Sequence, residues 1–275
     1  MSYITFKTIG ESGNLASQLQ QYASLYAVSK ETNKEIIFPE SSIEKGYGFK
    51  FAKLLGLDIA VAPEEFFNSF IDIRPDDNLI VDPRLFRLDH KTNYNIVNRF
   101  DLFHYWCPKY YNDIMSWRWS DTFYSKALEI YNSIKNPNKE TVSIHVRRGD
   151  YLLPQHQHFC QLGTDYYEQA LQPFIKSIDK YQFLIFSNDI EWCKDNLIEG
   201  DAVTFIEPGD DYTDLVIMSL CDHNIIANSS YSWWAAMKNN NPNKKVYCPE
   251  NYLNGNMWLH INGNYYPSTW NAIKN

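Results

Sequence analysis

The sequence has few cysteines, and no two of them are close enough to form a metal knuckle. The chain of 275 residues contains five cysteines, at positions 107, 160, 193, 221 and 248. This wide spacing, without a CxxC pair, argues against a structural zinc site and against a thioredoxin-type redox site. Free thiols are typical of a reducing compartment, so we expect a cytoplasmic protein.

The chain also lacks a surplus of basic residues. It has 25 Lys and Arg against 33 Asp and Glu, which gives a formal net charge of -8. Proteins that bind nucleic acid usually present a basic surface, so we expect no nucleic-acid partner.

Membrane signals are missing as well. No run of 18 apolar residues occurs, and the N-terminal residues lack a charged segment followed by an apolar stretch. We therefore expect neither a transmembrane segment nor a signal peptide. Peripheral attachment to a membrane stays open, although no basic amphipathic segment supports it.

What is present is the composition of a folded α/β protein. Hydrophobic residues make up 44% and charged residues 21%, which excludes an intrinsically disordered chain. The aromatic share of 16% serves a hydrophobic core, and it also suits a site for flat or sugar-like ligands.

The hydrophobic pattern predicts two α/β domains. Residues 3–9 alternate like a strand, residues 15–30 follow a helical period, and residues 34–38 return to strand. The short aromatic-rich run at 102–106 predicts a further strand. A polar, helix-breaking stretch at 135–139 marks a boundary. From there to residue 250, short apolar strands alternate with helices, which predicts a doubly wound parallel sheet. We expect domains at 1–138 and 139–250, followed by a segment at 251–275.

Three polar clusters in the second half each follow a predicted strand. They occupy residues 147–150, 187–189 and 228–232. Ligands bind outside the carboxyl ends of the strands in open parallel sheets, so the three clusters predict one shared crevice.

The residue types in these clusters are suited to phosphate. Arg147 and Arg148 can donate bidentate hydrogen bonds to phosphate oxygens, and residues 228–232 precede a helix whose start favours anions. Asp189 could accept from ribose hydroxyls or from a base edge. Surface ion pairs and simple helix capping are the alternative interpretations.

The remaining polar motifs predict no metal site. His156 and His158 have no carboxylates nearby in sequence, which is typical of an exposed loop, although a lid over the ligand stays open. Asp210 and Asp211 lie in a Pro-Gly turn, where we expect solvated side chains.

The HVRRGDY segment at 145–151 resembles the HxRRxD signature of GDP-fucose-dependent fucosyltransferases. The second half is similar to glycosyltransferase family 11, the α-1,2-fucosyltransferases, in its bacterial form. The supporting segments lie at 162–167, 186–189, 214–219 and 225–236, with 13–14, 18–23, 103–106 and 110–111 in the first half. Residues 15–17 are additional relative to the family pattern, and they lengthen either a loop or the start of its helix.

The resemblance implies an α/β fold of the GT-B type, with two Rossmann-like domains facing a cleft. The second domain would bind GDP-fucose and the first would form the acceptor side. The segment 251–275 would pack back toward the first domain, with Trp258 and Trp270 as anchors.

The reaction implied by the resemblance is inverting transfer of L-fucose from GDP-β-L-fucose to the 2-hydroxyl of a terminal galactose. Arg147 would stabilise the departing diphosphate, and Arg148 would shape the loop or neutralise the second phosphate. Asp150 would either take the acceptor proton or brace the arginines. The expected donor-binding residues are His145, Ser187, Asp189, Asn228, Ser229, Ser230 and Ser232. The expected acceptor-side residues are Asn14, Gln18 and Trp233.

The partners implied are therefore GDP-fucose and a galactose-terminated oligosaccharide, with no cofactor beyond the donor and no metal. Two alternatives stay open: a GDP-sugar transferase of different donor or linkage, and a nucleotide-sugar-binding or glycan-binding protein without turnover. For His145, a satisfied core histidine and a structural role behind the arginines are equally open.

Overall fold

Each half of the chain builds its own parallel β-sheet. The computed structural model describes residues 1–11, 13–76, 79, 81–97, 103–106, 108–207, 209–254 and 265–275. By their internal contacts these residues divide into two units, Met1–Asp121 and Thr122–Asn275.

The first unit has a four-stranded sheet with the order β2-β1-β6-β5, in which neighbouring strands are parallel. Strands β3 and β4 form a separate parallel pair. The elements are β1 (Tyr3–Thr5), α1 (Leu15–Thr32), β2 (Glu35–Ile36), β3 (Phe38–Pro39), α2 (Lys50–Leu55), β4 (Val61–Ala62), β5 (Ile71–Ile73), β6 (Tyr94–Ile96) and α3 (Tyr111–Met115).

The predicted strand-helix-strand start of the chain is confirmed by β1, α1 and β2. Residues 15–17 form the first turn of α1. The Asn14 side chain caps that turn by accepting from Leu15 N–H.

Glycines allow the loop after β1 to touch the loop before α2. Gly10 has φ +86°, and a Cβ there would lie 2.6 Å from the carbonyl oxygen of Gly48. Tyr47 N–H donates to Gly10 O at 2.8 Å, so the two backbones meet without side chains between them. Only glycine accommodates both the positive φ and this approach.

One predicted strand of the first unit is wrong. Residues 102–106 were expected to form a strand, but Phe103–Tyr105 form a 3₁₀ turn, and residue 102 lies outside the described residues. The side chains of Tyr105 and Trp106 are buried. An aromatic run can therefore serve the core from a turn as well as from a strand, and its composition does not distinguish the two.

The second unit has a six-stranded sheet with the order β12-β11-β10-β7-β8-β9, in which every neighbouring pair is parallel. Helix α4 (Asp121–Ile134) begins at the last residue of the first unit. The other elements are β7 (Glu140–Val146), α5 (Thr164–Ile175), β8 (Tyr181–Ser187), α6 (Ile190–Asn196), β9 (Val203–Phe205), α7 (Asp211–Leu220), β10 (His223–Ile225), α8 (Ser230–Lys238), β11 (Val246–Pro249) and β12 (Asn271–Ile273).

The chain reverses its direction of travel across this sheet beside its first strand. From β7 it builds β8 and β9 on one side, and it then returns to build β10, β11 and β12 on the other. The topological switch point therefore lies between β7 and β10, where open parallel sheets bind ligands. Apolar residues of β7 and β8 pack beneath it against Tyr166, Tyr167 and Phe174.

The contact-based boundary falls earlier than the position expected from the sequence. The expected boundary at 138/139 follows α4, whereas the contacts of α4 place most of that helix in the second unit. One such contact joins Tyr131 Oη to Thr141 Oγ1 at 2.8 Å.

The end of the chain also contacts the second unit, because β12 pairs with β11 and the Trp270 ring lies 6.1 Å from that of Trp233. Trp258 lies outside the described residues.

Among the helices that the structure describes, none combines the length and the hydropathy needed to cross a bilayer. Four of the cysteines, at positions 160, 193, 221 and 248, are free and buried. The fifth, at position 107, lies outside the described residues.

Candidate functional site

The three polar clusters meet at the switch point of the second sheet. Arg148 N–H, after β7, donates to Asn188 Oδ1, after β8, at 3.0 Å. His145 Nδ1 lies 2.8 Å from Ser232 Oγ in the first turn of α8. The structure thus brings together the strand ends that the sequence predicted to share one site.

His145 connects β7 to α8 from inside the unit. It is buried, and its bond to Ser232 joins the two elements. Burial, with the positive charge of Arg147, lowers the pKa of His145 to about 3. The ring is therefore neutral, and it is too weak a base to take a proton from a sugar hydroxyl near neutral pH.

Arg147 lies at the edge of the site, with its side chain about one-third exposed. Its Nη2 donates to Asp150 Oδ2 at 2.8 Å, and its guanidinium carbon lies 5.5 Å from the centre of the Tyr151 ring. Within the described residues its Nε is buried without a hydrogen-bond partner. A buried donor in that state costs about 1–3 kcal/mol, so this N–H favours an acceptor that a ligand could supply.

Arg148 points away from Arg147 and toward α6. Its Nε donates to Asp189 Oδ2 at 3.2 Å, and its guanidinium carbon lies 4.0 Å from the centre of the Trp192 ring. These contacts hold Arg148 by an ion pair and a cation–π interaction. Of the two expected functions of Arg148, the geometry favours shaping the loop.

Asp150 is tied on both of its oxygens. Oδ2 accepts from Arg147, and Oδ1 accepts from Asn188 Nδ2 at 3.3 Å. Each of the two arginines thus has its own carboxylate, Asp150 for Arg147 and Asp189 for Arg148.

The polar groups after β8 serve mainly the local structure. Ser187 Oγ accepts from Asp189 N–H at 2.9 Å, and Asp189 Oδ1 caps α6 by accepting from Trp192 N–H at 3.4 Å. The Asp189 carboxylate thus binds Arg148 and caps α6, and its predicted contact with ribose or base stays a prediction.

The start of α8 presents backbone N–H groups and hydroxyls beside His145. Ser229 caps the helix by accepting from Tyr231 N–H at 3.3 Å, and Ser230 is its first, partly exposed residue. Helix N-termini attract anions through free N–H groups and the helix dipole.

Asn228 is placed too deep for the predicted contact with a ligand. It is fully buried, and its Nδ2 donates to the carbonyl oxygens of Cys160, at 2.9 Å, and Tyr252, at 3.0 Å. Its carbonyl oxygen also accepts from Tyr151 Oη at 3.1 Å. Asn228 therefore holds three backbone segments together behind the site.

Trp233, expected on the acceptor side, is a core residue instead. It is fully buried, its Nε1 donates to Tyr265 O at 3.2 Å, and its ring packs against Trp234 and Trp270. The position after a helix cap does not determine which way a large side chain turns, because the packing of the whole unit decides it.

The two predicted acceptor-side residues of the first unit differ in exposure. Asn14 is exposed at the start of α1 and serves as its cap. Gln18 is fully buried; its Nε2 donates to Gly13 O, and its Oε1 accepts from Phe51 N–H. Gln18 thus joins α1 to α2, and its amide is engaged by backbone.

The sequence analysis did not predict that the acidic residues at the start of α7 are held in the structure. Asp210 was expected to be solvated, but it caps α7 at Thr213 N–H and forms an ion pair of 2.5 Å with Lys126. Burial, reinforced by the charges of Asp210 and Asp211, raises the pKa of Asp214 to about 6. The signal available in the sequence was the capping pattern of Asp210 with Thr213 three residues later.

Helix α7 approaches the site through Tyr231, which lies in the first turn of α8. Tyr231 Oη donates to Asp211 O at 2.6 Å, and its ring centre lies 5.5 Å from that of His145. A chain of contacts therefore joins the acidic start of α7 to the residue behind the arginines.

In the part of the chain that the structure describes, no three His, Cys, Asp or Glu side chains group so that they could hold a metal ion. His156 and His158 pack instead around the ring of Phe159, which stacks on Tyr151 with 4.1 Å between centres.

A family model described as glycosyl transferase family 11 matches residues 84–274, which is more than half of the chain. The chain belongs to glycosyl transferase family 11. The match includes all three strand-end clusters and leaves most of the first unit outside it.

Curated relatives match parts of the chain. Over 135 residues the chain is 36% identical to the O-antigen biosynthesis glycosyltransferase WbnK of Escherichia coli, covering 47% of this chain and 44% of that protein. It is 38% identical over 120 residues to an alpha-1,2-colitosyltransferase of Escherichia coli, covering 42% and 41%. It is 36% identical over 102 residues to human galactoside alpha-(1,2)-fucosyltransferase 1, covering 34% and 28%. The matches thus span less than half the length of these relatives.

Among solved structures, the fucosyltransferase NodZ from Bradyrhizobium is similar over 86% of this chain and 93% of its own, with a TM-score of 0.56. The sequences are 10% identical, so this likeness shows the fold alone. It confirms the expected GT-B class, in which two Rossmann-like α/β units make up the protein.

Proposed function

We propose that this chain is an α-1,2-fucosyltransferase that transfers L-fucose from GDP-β-L-fucose to the 2-hydroxyl of a terminal galactose, with inversion at the anomeric carbon. Its membership of glycosyl transferase family 11 and its similarity to human galactoside alpha-(1,2)-fucosyltransferase 1 support this reaction class. The second unit would hold the donor, and the first unit would shape the acceptor side.

The observation that carries the proposal is the surroundings of Arg147. Its buried Nε has no partner within the described residues, and it belongs to the strand end that His145 joins to the start of α8. An unsatisfied guanidinium N–H near a helix N-terminus is suited to an anion with several oxygens, such as a diphosphate.

The same groups account for catalysis. As the bond between fucose C1 and the phosphate oxygen breaks, negative charge grows on the diphosphate. Arg147 and the N–H groups at the start of α8 would bind that charge more strongly in the transition state than in the ground state. Arg148, held by Asp189 and Trp192, would keep the loop in place.

Asp150 supports the reaction as a brace for Arg147 and not as the base. Both of its oxygens accept hydrogen bonds, one from the Arg147 guanidinium and one from the Asn188 amide, so the carboxylate is engaged in holding the arginine. The bond between C1 and the phosphate oxygen breaks ahead of attack, and the acceptor oxygen gives up its proton late, to an oxygen of the departing diphosphate. No metal ion is needed, since arginine and the helix start neutralise the phosphates.

A different donor sugar is the second candidate, because one relative is named as an alpha-1,2-colitosyltransferase at 38% identity. The diphosphate contacts proposed here would serve either GDP-sugar equally. The difference between the two candidates therefore lies in the contacts to the sugar ring.

The test is release of GDP from GDP-fucose and from GDP-colitose, each measured with and without lactose. We expect GDP-fucose turnover that lactose accelerates. Preference for GDP-colitose would select the second candidate. Binding of GDP without turnover of either donor, even with N-acetyllactosamine as the acceptor, would favour a binding protein and overturn the proposal.

A further inference from the structure

Asn188 bridges the arginine loop, defined here as residues 147–150. Its Oδ1 accepts from Arg148 N–H at 3.0 Å, and its Nδ2 donates to Asp150 Oδ1 at 3.3 Å. We propose that Asn188 is a positioning residue, which orients Asp150 and through it Arg147 for the diphosphate of the donor. This inference rests on the proposed function, because it explains how the same site is held.

The route from Asn188 to Arg147 passes through a single carboxylate. One oxygen of Asp150 binds Asn188, and the other binds Arg147 Nη2 at 2.8 Å. With both oxygens held, the carboxylate plane is fixed and so is the guanidinium that it binds. Without Asn188, Asp150 would be free to rotate, and ordering Arg147 on a ligand would cost conformational entropy.

The backbone of Asn188 is itself well fixed. It directly follows β8, whose last residue Ser187 pairs in register with Val146 of β7. It directly precedes Asp189, which caps α6 and binds Arg148. Asn188 therefore lies between two regular elements, strand β8 and helix α6, and its side chain holds the irregular arginine loop against them.

Gly149 provides independent evidence that the loop is built around this amide. A Cβ at position 149 would lie 2.4 Å from Asn188 Nδ2 and 3.1 Å from its Cγ, and the φ of Gly149 is +20°. Any side chain at 149 would push the Asn188 amide away from Asp150. Gly149 thus leaves room for the side chain of Asn188, which follows β8.

The bridge needs an amide, because it accepts at one end and donates at the other. Asn188→Asp keeps an acceptor for Arg148 N–H, but an ionised aspartate cannot donate to Asp150. The two facing carboxylates would repel each other at high pH, and a shared proton would restore the bridge at low pH. A residue that only maintains the fold would not produce such a profile.

The experiment measures GDP affinity by calorimetry between pH 5.5 and 8, with each variant expressed relative to wild type at the same pH. We expect Asn188→Ala to weaken binding about tenfold throughout. Asn188→Asp should bind at least tenfold more weakly than wild type at pH 8 and should approach wild type at pH 5.5. The matched control is Asn196→Ala, which alters an exposed asparagine of α6 whose Nδ2 donates to Trp192 O in the same helix, and this variant should bind like wild type.

A double-mutant cycle separates positioning from direct contact with GDP. Asp150→Ala should weaken binding by itself, and adding Asn188→Ala to it should weaken binding little further, because Asn188 acts through that carboxylate. Fully additive effects, or an Asn188→Asp profile that runs parallel to wild type, would overturn the inference while leaving the proposed function intact. A wild-type protein that does not bind GDP would overturn both.

Discussion

Two neighbouring arginines in one motif have different surroundings, and this difference sets what each can do. Arg148 is held on α6 by Asp189 and Trp192, whereas Arg147 retains a buried donor without a partner in the described residues. The sequence shows that both follow a buried strand, but the partners of Arg148 lie at the start of α6, whereas Arg147 pairs within its own loop. Only the folded chain reveals which arginine is left to bind a ligand.

Replacing Arg147 by lysine should abolish most of the activity although the charge is kept. A guanidinium donates from several nitrogens in one plane, whereas an ammonium acts as a point charge. Loss of such a donor costs about 3–4 kcal/mol in the transition state, or roughly 10²–10³-fold in rate. Initial rates of GDP release from GDP-fucose measure this, with Arg87→Lys, an exposed arginine of the first unit, as the control. A turnover near that of wild type would exclude the leaving-group role.

Asp150→Asn distinguishes a brace from a base. As a brace for Arg147, its charge supports transfer, acceptor-free hydrolysis of GDP-fucose and GDP affinity together, so all three should fall, by about tenfold or more. A base would affect transfer alone, because hydrolysis does not use the acceptor hydroxyl. The rates with and without lactose, together with a GDP titration, decide between them, and loss of transfer with unchanged hydrolysis and GDP binding would contradict the brace.

At the scale of elements, the sequence is a better guide to strands than to side-chain directions. The strands β7, β8 and β10 lie where their apolar runs predict, since that signal is local. Trp233, Asn228 and Gln18 were expected to face ligands, but all three are buried. Their orientation depends on contacts between residues far apart in sequence, such as Asn228 with Tyr252, which periodicity does not contain.

The start of α7 carries a carboxyl group, Asp214, whose pKa the fold raises toward neutral pH. The pKa of Asp214 is about 6 against an ordinary value of 3.8, chiefly because of burial. The native state therefore binds the proton more tightly than the unfolded state, and stability falls as pH rises from about 4 to 6. Above that window the loss is constant, at most about 3 kcal/mol for a shift of about two units.

Asp214→Asn should remove this loss, because the amide is neutral at every pH and can still accept from Gly209 N–H. We expect the variant to melt at a higher temperature than wild type at pH 7 to 8, and the two curves to converge near pH 4. Thermal unfolding across this range measures the effect, with Asp195→Asn, an exposed aspartate of α6, as the control. A constant difference at all pH values would mean that Asp214 does not titrate as described.

For the whole molecule, the family match and the fold cover different parts of the chain. The match covers residues 84–274, which contain the proposed donor site, whereas most of the first unit is known from its fold alone. In that unit, the parallel sheet and the close approach of Gly10 to Gly48 are features of the backbone framework.

The proposed neutralisation of the diphosphate by Arg147 and α8 makes a divalent cation unnecessary. Activity should therefore change less than twofold in excess EDTA, measured after dialysis against the chelator. Complete loss that Mg²⁺ or Mn²⁺ restores would instead direct attention to Asp210, Asp211, His156 and His158 as metal ligands.

The most direct test of the central claim is the structure of the reaction product. The purified protein is incubated with GDP-fucose and with galactose-terminated acceptors ending in galactose–glucose, galactose–N-acetylglucosamine or galactose–N-acetylgalactosamine, and the products are analysed by NMR. We predict a new fucose residue in the α configuration, attached to the 2-oxygen of galactose, on at least one acceptor. A fucose attached at another position or in the β configuration, or no fucosylated product from any of the three under conditions in which GDP binds, would contradict the account.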